Sequence, residues 1–171
     1  MKALFAHRRA VSLVAALLCF ALFGYALYAQ YHLLLEPCPL CMFERVAVVS
    51  LGVVLLLAAI PAGRQLVLRR TAALAVLVVG LAGAGIAAKH VYIQSLPPGK
   101  VPVCGATLDY MFEVFPVMDV LRKVLTGSGE CAKIDWTFLG LAMPAWVLIW
   151  LLLLTALGVA IHWRRGGAQG I

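Results

Sequence analysis

Four apolar stretches, at about residues 10–29, 43–60, 71–88 and 138–161, constrain this chain more than any other feature. Each is about as long as an α-helix must be to cross the hydrocarbon core of a bilayer. With 64% apolar residues, 12% charged residues and a mean hydropathy of +1.02, the 171-residue chain lacks the polar surface of a water-soluble globule. The expected fold class is therefore an all-α membrane protein, a four-transmembrane-helix bundle forming one integral membrane domain over 1–171.

Charge sets the expected orientation. Lys2, Arg8 and Arg9 precede the first stretch, Arg64, Arg69 and Arg70 separate the second from the third, and Arg164 and Arg165 follow the fourth. No acidic residue lies on that side. The two loops on the other side, about 30–42 and 91–137, carry charges of both signs. By the positive-inside rule both termini are expected in the cytoplasm. The net charge of +7 is then a topology signal, and no nucleic-acid partner is implied. The first stretch is longer than the apolar region of a typical secretory signal and ends in Leu27-Tyr28-Ala29, a poor cleavage site, so a permanent helix is expected.

Cysteines follow the same division. Cys38 and Cys41 form a CxxC in the first outer loop, Cys104 and Cys131 lie in the second, and Cys19 is inside the first span. Cys19 reads as a small buried apolar residue. Four thiols on the outer face read as two pairs in an oxidising compartment. They could be exchange-active, structural or metal-binding. A CxxC closes too small a ring to constrain the unfolded chain much, which favours exchange. Zinc usually takes two close-spaced pairs, and Cys104 with Cys131 is not one, so no metal site is expected.

The short first loop keeps the CxxC at the membrane surface, with Cys41 expected at or just before the start of the second helix. There the helix dipole stabilises a thiolate, and Arg45 at i+4 adds positive potential. A more oxidising disulfide follows. Arg45 can equally be a snorkelling anchor with Glu44 as its partner. In the second loop, Pro97-Pro98-Gly99 and Pro102 break the chain. Apolar residues from Leu108 to Leu125 then recur at helical spacing, as in an amphipathic segment lying on the membrane and bent near Pro116. Gly127-Ser128-Gly129 reads as a joint that lets Cys131 swing toward Cys41. His90, near the outer end of the third span, reads as an interfacial residue or as part of the same pocket. Nothing suggests an ion path, a phosphate loop or a hydrolase nucleophile.

The run Pro37-Cys38-Pro39-Leu40-Cys41 with Glu44-Arg45-Val46-Ala47, His90 with Gln94, Gly129-Glu130-Cys131, Trp136, Phe138-Leu139-Gly140-Leu141 and Met143-Pro144-Ala145-Trp146 resembles the DsbB family of bacterial inner membranes. The resemblance covers nearly the whole chain. It implies a thiol:quinone oxidoreductase with periplasmic redox loops that reoxidises DsbA, a thioredoxin-like disulfide donor, and passes electrons to ubiquinone or menaquinone. It further implies that Cys104 is attacked by the donor, that Cys131 is its pair, and that Cys38 and Cys41 receive the electrons. Cys41 and Arg45 would face the quinone, and His90 and Glu44 would line its pocket. The donor couple lies near about −120 mV, and each 30 mV uphill costs roughly 1.4 kcal/mol, so a favourable later step is required. Three rivals remain at this point: an oxidase for a different dedicated partner, a four-span scaffold stapled by permanent disulfides, and a metal-binding protein holding stoichiometric zinc that chelators would remove.

Overall fold

A computed structural model describes residues 8–60, 66–97, 108–127 and 129–163. Lys2, Arg64, Pro98-Gly99, Pro102, Cys104, Ser128, Arg164 and Arg165 fall outside the described residues. Four helices are long and apolar enough to cross a membrane: α1 (Arg8–His32), α2 (Pro39–Ala59), α3 (Leu66–Gln94) and α6 (Met143–Trp163). Two shorter helices, α4 (Leu108–Val114) and α5 (Val117–Thr126), a 3₁₀ turn (Gly129–Ala132) and a two-stranded antiparallel hairpin of β1 (Thr137–Phe138) and β2 (Leu141–Ala142) lie between α3 and α6. The all-α four-helix membrane architecture is thus present.

Local chemistry explains where the helices start and stop. α2 opens with Cys38 as N-cap and Pro39 in the first turn, where a missing N–H costs nothing. It closes at Ile60, whose extended backbone (φ −64°, ψ 133°) suits a residue followed by Pro61. Three of the boundaries that differ from the sequence expectation have a local cause. α2 begins at Pro39 rather than 43, because the proline is absorbed as a helix start. α3 runs through Lys89 and His90 to Gln94, well past 88, since His90 finds partners inside the protein. The last span begins at Met143 rather than 138, because Leu139 (φ 51°) and Gly140 (φ 80°) turn the chain into a hairpin first. Two consecutive residues with positive φ are what a tight two-residue hairpin turn demands.

α1 packs along α2, α2 along α3, and α3 along α6, whereas α1 and α6 touch only sparsely. The core is built from small and branched residues: Ala15, Ala16, Cys19, Val48, Leu51, Leu55, Val76, Ala84, Ala87, Leu151 and Leu154. Lipid is as apolar as leucine, so helices in it associate through close packing rather than apolar burial. Gly80 shows how close: a Cβ there would collide with Thr155 of α6. Cys19 is fully buried with its Cβ 2.9 Å from where a Gly52 Cβ would lie, the packing role expected of it. Leu17, Val46, Leu57, Val78 and Leu153 point outward.

A second apolar cluster caps one end of the bundle. Leu40, Ile93, Met111, Val120, Val124 and Cys131 gather around Cys38, with Phe43, Ile86 and Phe115 against them. The amphipathic segment is therefore two helices broken at Pro116, and its apolar face is divided. Val120 and Val124 cover the cysteines, while Val117, Met118 and Leu125 remain exposed.

Candidate functional site

The site lies under that cap, where the starts and ends of three elements converge. α2 brings Cys38, Cys41 and Glu44, α3 brings His90, and the 3₁₀ turn brings Cys131. Cys38 and Cys41 are free thiols with sulfurs 3.2 Å apart, Cys38 donating to Cys41. Cys41 lies inside the first turn of α2, and its backbone N–H donates to the capping sulfur of Cys38 at 3.4 Å. Both the helix start and the thiol pair thus depend on the same sulfur.

Cys131 completes the group. Its side chain and those of Cys38 and His90 place Sγ, Sγ and a ring nitrogen all within 4.8 Å of one another. Hydrogen bonding to Cys131, then to Cys41, and burial hold the Cys38 thiol well above the ordinary thiol range. Sequence reasoning pointed Cys131 toward Cys41; the structure sets it against Cys38. The glycine-flanked segment is also anchored at its far side. His90 Nε2 lies 3.2 Å from the Cys131 carbonyl oxygen, and Gln94 Nε2 donates to the Lys133 carbonyl at 3.3 Å. Gly127 is needed for shape, with φ at 88° and Ile93 where a Cβ would lie.

His90 is fully buried and faces the sulfurs. Nε2 is 3.6 Å from Cys38 Sγ, while Nδ1 is 2.7 Å from Glu44 Oε1. A carboxylate only accepts, so Nδ1 donates to it and Nε2 is the nitrogen presented to the sulfurs. Glu44 is therefore the partner of His90 and not of Arg45. Arg45 reaches the other way, donating from Nη1 to Gln30 Oε1 and from Nη2 to the Ala26 carbonyl at 3.1 Å. It bridges α2 to α1, which corrects the expected pairing of Arg45 with Glu44.

Beside the cysteines a cavity of about 380 Å³ opens between α1, α2 and α6. Its floor holds Cys38, Cys41, Glu44, Arg45 and His90, and its walls are Phe23, Ala26, Gln30, Val48, Trp146 and Trp150. Trp136, Phe138 and Trp146 form a continuous aromatic edge, with ring centroids 6.1 and 5.9 Å apart and Trp146 Nε1 donating to the Phe138 carbonyl at 3.0 Å. A mostly apolar cavity of this size with a few converging polar groups is the ordinary form of a small-molecule site.

A sequence model of the family described as "Disulfide bond formation protein DsbB" matches residues 8–161. The chain belongs to the DsbB family. Among its relatives named "Disulfide bond formation protein B", that of Methylococcus capsulatus is 48% identical over 156 residues, covering 91% of this chain and 94% of that protein. The Xanthomonas axonopodis pv. citri protein is 42% identical over 163 residues, covering 94% and 95%, and a Xylella fastidiosa protein is 38% identical over 156 residues, covering 91% and 90%. Membership gives this DsbB-family protein a role in disulfide bond formation, an oxidoreductase type of function.

Of the residues singled out in the sequence, Cys38, Cys131, Glu44 and His90 share one buried cluster with the half-buried Cys41, and Arg45 joins them on the floor of the adjoining cavity. Cys104 is outside the described residues. Sequence reasoning missed Gln30 and the aromatic edge as site residues. Gln30 is a polar side chain close to the end of an otherwise apolar span, and that isolation was the available signal.

Proposed function

We propose that this protein is a thiol:quinone oxidoreductase of the bacterial inner membrane that reoxidises a periplasmic DsbA-like thioredoxin-fold donor. The observation that carries the reading is that Cys38 and Cys41, with Cys131 set against Cys38, open directly onto an apolar cavity walled by spanning helices. In this reading the donor's thiolate attacks Cys104 and breaks its bond to Cys131. The Cys131 thiolate then attacks Cys38, the sulfur beside it, forming Cys38–Cys131 and breaking Cys38–Cys41. The electron pair passes to the Cys41 sulfur at the cavity floor. A second donor thiolate resolves the mixed disulfide, so the donor loses two electrons and two protons and leaves as a disulfide. The Cys104 thiolate so freed attacks Cys131, re-forming Cys104–Cys131 and releasing Cys38 beside the reduced Cys41.

The residues present suit a quinone. Apolar walls from α1 and α6 match a ring with a lipid tail, and Arg45 offers its guanidinium near Cys41 for a carbonyl oxygen. A quinone bound there supplies a two-electron, two-proton sink, ubiquinone and menaquinone both meeting that chemistry. His90, oriented by Glu44, keeps Nε2 on Cys38, where it takes or returns the thiol proton as that sulfur is released and recaptured.

The test follows quinone absorbance in purified protein as reduced DsbA-like donor is added. Wild type should reduce quinone, while Cys41→Ser and Cys104→Ser should not. Untouched disulfides and no quinone reduction in wild type would overturn the assignment in favour of a stapled scaffold.

A further inference from the structure

We propose that the reduced protein binds one thiophilic divalent cation of the zinc class through Cys38 Sγ, Cys131 Sγ and His90 Nε2. Tetrahedral zinc has metal–sulfur bonds near 2.3 Å and metal–nitrogen bonds near 2.0 to 2.1 Å, which put sulfur and nitrogen about 3.6 Å apart and two sulfurs about 3.8 Å apart. Cys38 Sγ and His90 Nε2 already stand 3.6 Å apart, and all three ligand atoms fall within 4.8 Å of one another. Closing the site requires side-chain shifts on the order of 1 Å at most, judged against those edges.

A second observation points the same way. Histidines that ligate metals donate their other ring N–H to a carboxylate or carbonyl, which fixes the tautomer and aims the free lone pair. Glu44 does this for His90 at 2.7 Å, with both side chains buried. Nε2 faces the Cys131 carbonyl, an acceptor, so ligation displaces that contact together with the Nε2 proton and leaves a fourth position for water. The donor set of two thiolates and an imidazole suits zinc and excludes magnesium or calcium.

Binding requires both sulfurs reduced and unbonded. Any disulfide at Cys38 or Cys131 removes a ligand, and any bound cation blocks exchange at both. If the exchange path proposed above holds, the cation therefore arrests the protein in its reduced state.

The test uses the full-length protein in detergent, reduced with a phosphine under anaerobic conditions and titrated with Co²⁺ and then Zn²⁺. One Co²⁺ per chain should bind with a thiolate-to-metal charge-transfer band that Zn²⁺ displaces. Glu44→Gln should weaken affinity by roughly 10- to 100-fold, the usual effect of losing an outer partner, and His90→Gln and Cys131→Ser by more. In the unmodified chain Zn²⁺ should protect Cys38 and Cys131 from alkylation while Cys104 still reacts, as read by mass mapping. No stoichiometric binding, undiminished binding in Cys131→Ser and His90→Gln, or protection of a different cysteine pair would each overturn the site. None of these readouts involves quinone or donor, so their failure is separable from failure of the oxidoreductase reading.

Discussion

Glu44 and His90 are 46 residues apart in sequence and touch in a buried pair, so their partnership depended on how α2 and α3 pack. What the sequence showed was a CxxC followed by Glu and Arg. It could not show that Glu44 turns inward and Arg45 toward α1. If His90 handles the Cys38 proton, His90→Gln should lower turnover by about 100-fold, at the low end of general acid–base contributions, with little change in quinone KM. Arg45→Met should do the reverse, raising quinone KM several-fold, and Gln30→Leu should reproduce part of that by releasing Nη1. Steady-state kinetics over a quinone range separate the two. Because Cys131 is the leading cause of the raised Cys38 thiol, Cys131→Ser should speed its alkylation at neutral pH. The sign for stability follows from the same shift. The folded state holds that proton more tightly than the unfolded chain, so the contribution is full below the ordinary thiol value of about 8.5 and is lost as pH rises past it. Thermal melts of the reduced protein should fall in alkaline buffer, and less so for Cys38→Ser.

Among the elements, the spans were legible because their apolar runs are long and continuous, whereas their ends were not. His90 looks like a helix terminus when read as a polar residue at an interface, yet α3 continues because Glu44 and Cys131 satisfy its ring. The hairpin over 137–142 escaped notice because Phe138 and Leu141 extend the hydropathy of α6. The helix α5 was visible as amphipathic, but periodicity does not say which surface receives the apolar face. Val120 and Val124 meet the cysteine cluster, so Val124→Asp should open it, raising Cys131 alkylation while leaving the spanning helices intact by circular dichroism. Between α3 and α6, Gly80→Leu would force Thr155 aside. Overpacking of this kind costs typically 1–3 kcal/mol, and the midpoint of thermal unfolding in detergent should drop accordingly.

For the whole molecule, four helices able to cross a membrane fix a multi-pass arrangement, and the distribution of arginines sets the expected sense of insertion. Terminal fusions should report it: a cytoplasm-dependent fluorescent protein should be active at either end, and a periplasm-dependent phosphatase at neither. The bundle is closed where α3 meets α6 and open where α1 barely meets α6, and the cavity lies at that open seam. A molecule reaching Cys41 through such a seam never needs to leave the hydrocarbon phase. The concentration that governs its reaction is then its mole fraction among lipids, and diluting proteoliposomes with buffer at fixed donor concentration should leave turnover per protein unchanged, whereas diluting the quinone with added phospholipid should slow it.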